Sequence, residues 1–430
     1  MKKSTLIYDV IGIGAGPFNI SVAALLQKSS VRGLFFEKQK KYSWHAGMQL
    51  PFATIQNSQT RDLVTLSDPT NPLSFLNFLH QNGRLEVHTI AGFKHIMRWE
   101  FEQYLQWAIE HLDNIYLGHC VKNITSTQEG FKVEVQNHNG TDYYLAKNLS
   151  IGTGVVPLIP DCVKNLIGKA IFHNSDYLFR SKEGVKSVVI VGGGQSALEV
   201  AIDLISNYKQ VKNITLVFKE SFTSQIEDSQ FAEDLIFTTA GLNDFYHLDS
   251  FYKKEFISQY RLTSDGASPH TIQEFYQLLY KNCFLNNNEK KIEILNNNQL
   301  CSVVDCTKDS EHKFIVHCQS ILDRSPTVVE SDMIILATGY VQQFPSSLFS
   351  QQILENIEFD ELNPKLDFNY KAMYSGQGSI FVLNGAKHTH GIVDPNLSLN
   401  AIRAYRVVDS ILGSNNKMTV PTQVTFSRGA

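Results

Sequence analysis

The run Ile7-Tyr8-Asp9-Val10-Ile11-Gly12-Ile13-Gly14-Ala15-Gly16-Pro17-Phe18-Asn19 constrains this chain more than any other stretch. An apolar run, glycines at every second position and then a helix-forming run over residues 21–26 read as strand, tight turn and helix N-terminus. Glycines there let the backbone approach a pyrophosphate without a Cβ in the way. The unpaired N–H groups and the dipole of the helix start favour its negative charge. The spacing predicts that Gly12, Gly14, Gly16 and Pro17 hold a dinucleotide. A second apolar run, Gly33-Leu34-Phe35-Phe36, ends in Glu37, where a second strand would present a carboxylate to a ribose.

The pattern recurs at Ser187-Val188-Val189-Ile190-Val191-Gly192-Gly193-Gly194-Gln195-Ser196-Ala197, with Gly192 and Gly194 in the turn and Ala197 in place of a third glycine. Two such units are far more specific than one. The next apolar run, 214–218, ends in Lys219, and a cation there pairs with a 2′-phosphate that a carboxylate would repel, so NADPH is expected over NADH. Two further buried runs end in Gly152-Thr153-Gly154 and Thr338-Gly339, each expected to return the chain to one of the two units.

Other stretches read less sharply. Residues 42–72, with Trp44, His45, Met48, Gln56 and Arg61, are too long and mixed for a simple crossover and suit a cofactor cover. Taken alone, Trp44 and His45 read more readily as a packed aromatic and a hydrogen-bonded loop histidine than as cofactor contacts. Residues 221–239 are polar and carry Glu227, Asp228, Glu233 and Asp234, carboxylates of the kind that usually face solvent. A helix is expected from about 271 to 280, and a last one through about 412.

Composition closes off several classes. At 430 residues there is room for two or three domains, and a net charge of −4 gives no basic field for nucleic acid. No run approaches the ~20 apolar residues of a membrane span. Met1-Lys2-Lys3-Ser4-Thr5 leads directly into the first strand, so a cytoplasmic protein is expected. The six cysteines, at 120, 162, 283, 301, 306 and 318, show neither CxxC spacing nor a histidine at metal-ligand distance. They read as reduced structural thiols, with no metal.

Together these stretches resemble the flavin-dependent N-hydroxylating monooxygenases of siderophore biosynthesis, the lysine and ornithine N-hydroxylases and their amine-using relatives. The matching pieces are Gly12 to Asn19, Trp44-His45-Ala46-Gly47-Met48, Asp62-Leu63-Val64, Asp68-Pro69-Thr70-Asn71-Pro72, Gly192 to Ala197, Ala337-Thr338-Gly339-Tyr340 and Thr389-His390-Gly391-Ile392. They span nearly the whole chain, and the lysine N6-hydroxylase branch is the most similar.

The resemblance implies an α/β protein with two Rossmann-like domains: an FAD domain from 1–167 and 336–430, an NADPH domain from 168–335, and a substrate-covering segment at about 225–285. It places the first turn and Glu37 at the adenine end of FAD, and Trp44, His45, Met48 and Gln56 against the isoalloxazine. Gln195, Ser196 and Lys219 would hold NADPH, with Thr338, Gly339, His390, Gly391 and Leu397 completing the cofactor set. Arg61, Glu233, Ser264 and Asp265 would meet the substrate. Arg61 stands where relatives carry lysine, and Glu233 near an asparagine position, departures that suit a second cationic or imidazole group better than a carboxylate. The implied reaction reduces the flavin with NADPH, forms a C4a-hydroperoxide with O2, and transfers oxygen to the neutral amine of lysine, putrescine, cadaverine or histamine. No side chain is required as nucleophile, and a homo-oligomer is compatible with the resemblance. The rivals are a flavin disulfide reductase, which the missing CxxC opposes, and a sensor that binds both cofactors without turnover.

Overall fold

The computed structural model describes residues 6–286, 289–306 and 313–413. In its first sheet β1 (Ile7–Ile13) pairs parallel with β2 (Gly33–Glu37), which pairs in turn with β3 (Ile115–Leu117). Antiparallel strands β4 (Cys120–Thr127) and β5 (Gly130–Asn137) lead into β6 (Gly140–Ile151), with a two-residue hairpin loop at His138-Asn139 and Gly140 opening β6. The long β6 serves twice. Its first half completes that meander, and its second half lies parallel between β1 and the strand Ser379–Val382, which arrives from the far end of the chain. Val10, Ile11 and Ile13 are buried, as a parallel strand covered on both faces requires.

Helix α1 (Pro17–Leu26) is buried at every residue but Leu25, and its small residues let it pack on the last helix, Asn400–Leu412. Helices α2 (Phe75–Gln81), α3 (Leu85–Ala91) and α4 (Arg98–Glu110) follow β2 and pack together, and α4 packs against α1.

The chain leaves this sheet through β7 (Val156–Pro157) and builds a second, wholly parallel one. Strands β8 (Ile171–His173), β9 (Ser187–Val191), β10 (Asn213–Val217) and β11 (Lys291–Leu295) belong to it, with α5 (Gln195–Asn207) following β9. A three-stranded antiparallel sheet of β12 (Asn298–Asp305), β13 (Phe314–Ser320) and β14 (Pro326–Ser331) packs Val303, Phe314 and Val316 against it. Strand β15 (Met333–Leu336) completes the order β11-β10-β9-β15-β8. The chain then returns through β16 (Tyr340–Val341), which pairs antiparallel with β7, so both crossings between the sheets run side by side.

The polar stretch after Ser221 is helical rather than irregular. It forms α6 (Gln230–Ile236), α7 (Thr239–Tyr246), α8 (Ser250–Gln259), α9 (Leu262–Asp265) and α10 (Pro269–Phe284). Side-chain oxygens of Ser229, Thr238, Asp249 and Ser268 cap four of these, a signal that the mixed composition conceals. Although inserted between strands of the second sheet, this helical cover docks Ile236, Phe237 and Leu242 onto Ile392, Val393, Leu399 and Ile402 near the C-terminus. Among the described residues no helix is long and apolar enough to cross a membrane.

Candidate active site

The two glycine turns match bond for bond, in a register that differs from the sequence spacing. Gly14 N donates to Phe36 O and Gly192 N to Val217 O, both at 2.8 Å. Both residues have positive φ, +82° and +137°, and a Cβ would lie 2.5 Å from Gly152 O or 2.2 Å from Ala337 O. Gly16 and Gly194 are the N-caps of α1 and α5. Gly12, expected in the phosphate turn, is instead inside β1 opposite Phe35. Beyond the caps the space is open: a Cβ on Gly194 meets nothing within 4 Å, and one on Gly16 only Gly152 O at 3.9 Å. An opening at the start of a helix of this length fits a pyrophosphate.

The residue after each pairing differs. Glu37 accepts from Ala15 N through one carboxylate oxygen and from Gln39 N through the other, both at 2.9 Å, so it braces the turn and keeps a lone pair on each oxygen for a ribose. Its counterpart is Phe218, buried, whose ring lies where a Cβ on Gly193 would stand, at 2.7 Å. Lys219 is one residue further and exposed. The second unit therefore has no acid at the 2′ position and a lysine beside it.

Between the units lies a cleft of about 350 Å³. Trp44, His45, Met48, Gln56 and Leu397 line it from the side of the first sheet, Gln195 and Ser196 from the second, and Ser264 from the cover. The remaining expected residues stand elsewhere. Thr338 Oγ1 donates to Leu158 O at 2.5 Å, and Gly339 O accepts from Leu158 N and His173 Nε2, so this pair stabilises the crossing. His390 is buried, stacks on Tyr370 at 4.0 Å, and has its pKa pushed well below the ordinary value by that burial. With Gly391 it lines a separate apolar pocket of about 10 Å³, far too small for a flavin. Asp265 is exposed at the end of α9 and is not on the cleft wall.

His45 has left-handed backbone (φ 54°) and stands edge-on to Trp44 at 4.4 Å. The residue is exposed to solvent through the cleft, with Trp44 and Tyr340 edge-on to its ring on two sides. Desolvation, and then the Arg98 charge, push its pKa down to about 4, so it is neutral at physiological pH. Gly47 follows because Ser175 O approaches to 1.8 Å from where its Cβ would be.

Sequence reasoning missed Arg98, Asn57, Asn174 and Tyr340, all on the cleft wall. Arg98 opens α4 and makes two bonds, 2.9 and 3.0 Å, to Glu199 of α5, which is fully buried. It also donates to Met48 O at 2.6 Å. Gln195 Nε2 donates to the same Glu199 and to Thr271 Oγ1, and its Oε1 accepts from Ser268 N. This amide, expected on NADPH, thus ties the cover to α5. Asn174 is 1% exposed with neither side-chain polar atom partnered among the described residues, and Asn57 Nδ2 is likewise unpartnered. Buried amides left so cost about 1–3 kcal/mol each unless a bound group completes them, which fits a polar ligand in the cleft. Tyr340 adjoined the Thr338-Gly339 signal. Asn57 and Asn174 carried no signal of their own.

Arg61 and Glu233, from the first domain's loop and from α6, meet as an ion pair at 2.5 Å. Arg61 also donates to Ser398 Oγ at 3.4 Å. None of the six cysteines lines the cleft, and all are free.

The sequence profile described as L-lysine 6-monooxygenase/L-ornithine 5-monooxygenase matches residues 6–342. The chain belongs to this family. Within the lysine and ornithine monooxygenases, the L-lysine N6-monooxygenase of Escherichia coli is 31% identical over 418 residues, 96% of each chain. The ornithine N-hydroxylase of Kutzneria sp. 744, solved with reduced FAD, NADP+ and L-ornithine, is similar with a TM-score of 0.88 at 27% identity, covering 95% of this chain and 99% of that one. The FAD-bound cadaverine monooxygenase of the desferrioxamine pathway of Erwinia amylovora gives 0.86 at 26%, covering 98% and 100%. The family thus spans amino acids and a diamine over the same fold.

Proposed function

We propose that this protein N-hydroxylates a primary amine with NADPH and O2, using FAD, for hydroxamate-type siderophore biosynthesis. The observation that carries the reading is one cleft walled by both dinucleotide units, in a chain of this family. The substrate is lysine or a decarboxylated amine such as histamine, putrescine or cadaverine. We assign 1–167 and 336–430 to an FAD domain and 168–335 to an NADPH domain, the part beyond 413 lying outside the described residues. The reaction belongs in the cytoplasm, where NADPH is supplied, and a homo-oligomer is compatible with it.

In this reading Gly14, Gly16, Pro17 and Glu37 hold the adenine end of FAD, while Trp44, His45, Met48, Gln56 and Leu397 shape the space for its ring. Ser196 and Lys219 hold NADPH, and Gln195 keeps the cover against the cleft. When bound, the two cofactors supply hydride transfer and oxygen activation. The chain's own contribution is orientation, dryness and charge control. Arg98 and Glu199 clamp the units together, which keeps water from the reacting groups. Neutral His45 adds no positive charge to repel an incoming amine.

Hydroxylamine formation measured beside NADPH oxidation, with FAD added, tests the reading over lysine, ornithine, putrescine, cadaverine and histamine. Hydroxylated product in step with NADPH use supports it. Tight binding of both cofactors without NADPH oxidation would favour the sensor reading instead.

A further inference from the structure

The ionisable side chains on the cleft wall are His45, Arg98 and Tyr340 among the described residues. None offers a substrate a free positive charge. His45 is uncharged, and Arg98 is held by both oxygens of Glu199. One further cation stands close behind the wall: Arg61 reaches Ser398 Oγ, which lies 3.2 Å from Asn57 Oδ1. That cation is taken by Glu233. What the wall presents at this end is the Asn57 amide, 4% exposed, with its oxygen on Ser398 and its Nδ2 unpartnered.

A substrate carboxylate brought here would leave water for a single neutral donor, in front of an arginine whose charge is already cancelled. Its desolvation would outweigh what one uncharged N–H returns. The cover adds to this bias, because residues 225–285 hold nine Asp and Glu against four Lys and Arg. Such a field draws amines in and turns carboxylates away.

We propose that the Arg61–Glu233 pair and the Asn57 amide set the specificity of this site, and that the amine it admits carries no carboxylate. This rests on the N-hydroxylase reading and narrows it from primary amines in general to diamines and amines bearing a ring. Arg61 is then a charge held out of use, and Glu233 is the residue that holds it.

Three substrate pairs differ only in an α-carboxylate: lysine and cadaverine, ornithine and putrescine, histidine and histamine. With the FAD-loaded enzyme, NADPH and O2, at least one decarboxylated member is expected to be hydroxylated with kcat/KM about tenfold or more above its twin. Calorimetric titration of the same six compounds into the oxidised, NADP+-bound enzyme reads the preference without turnover or mutation. Glu233→Gln frees Arg61, and is expected to move the ratio toward the amino-acid twin by about tenfold, mainly through KM. Tighter binding or higher kcat/KM for lysine or ornithine in the wild type overturns the inference and leaves N-hydroxylation standing. A folded Glu233→Gln enzyme with an unmoved ratio overturns the role of the pair. If none of the six yields a hydroxylamine, the N-hydroxylase reading itself fails, and the specificity claim falls with it.

Discussion

Glu37 and Phe218 occupy equivalent places at the end of the second strand of each unit, and they treat the neighbouring turn in opposite ways. The carboxylate bonds Ala15 N, whereas the ring packs under Gly193. The sequence marked Lys219 as the residue of interest because an acid was missing there, and the structure moves the missing acid one residue back. Gly12 was misread for a related reason. Alternating glycines do not say where a strand stops, and β1 continues through Ile13. The turn residues themselves allow a sharp test. Gly192→Ala puts a Cβ 2.2 Å from Ala337 O at φ +137°, so a stability loss of about 1–3 kcal/mol is expected, with NADP+ affinity weakened more than FAD affinity. Denaturant titration and separate binding titrations of the two nucleotides measure these, and equal weakening of both would contradict the assignment of the second turn. His45 gives a pH signature. Its folded pKa, about 4, lies below the usual value of 6.5, so the unfolded chain binds the extra proton between those limits. Stability is therefore full above about pH 6.5 and falls as the pH drops toward 4. Relative to His45→Gln, the wild type should lose stability only in that window, and a constant difference from pH 8 to pH 4 would show that the ring is not held neutral.

Arg98, the first residue of α4, and Glu199, in the second turn of α5, join helices that belong to different sheets. The pair is buried, so removing one partner leaves the other charge uncompensated. Glu199→Ala is expected to cost about 3–5 kcal/mol, and the double variant Arg98→Met, Glu199→Leu much less than the two single changes together. A double-mutant cycle in denaturant measures the coupling, and additive losses would mean that the contact does not hold the units. Nothing in the sequence near Arg98 marked it, because its partner is 101 residues away. The same distance problem hides the strand Ser379–Val382, whose apolar run was legible but whose place beside β6 was not. Elements set by local pattern fared better: both strand-turn-helix units stand where their residues put them, and Asn139 and Gly140 mark the tight hairpin from β5 to β6. The cover is the converse case. Helices α6 to α9 are short, so their periodicity is brief, and Ile236, Phe237 and Leu242 are held by residues 392–402, far away in the chain, whereas the longer α10 was legible and packs on α5.

At the scale of the whole molecule, the cleft between the two units contains, among the described residues, no group able to take a proton from an ammonium near neutral pH. His45 titrates at about 4, burial raises the Tyr340 phenol above its ordinary value, and Arg98 is bound to Glu199. Oxygen transfer needs the free lone pair of the amine, and an alkylammonium has an ordinary pKa near ~10.4. The proton must then be lost to water before or during entry, so the neutral fraction of the amine in solution controls capture. Plotted against pH, log kcat/KM for the amine is expected to rise with a slope near one across the neutral range, with a limb that follows the pKa of the amine used. Amines of different basicity give the decisive comparison. If the limb moves with the substrate, the enzyme supplies no base and the fold contributes shape and dryness. If it stays fixed for every amine, a protein group is taking the proton, and Tyr340→Phe is the first variant in which to look for it.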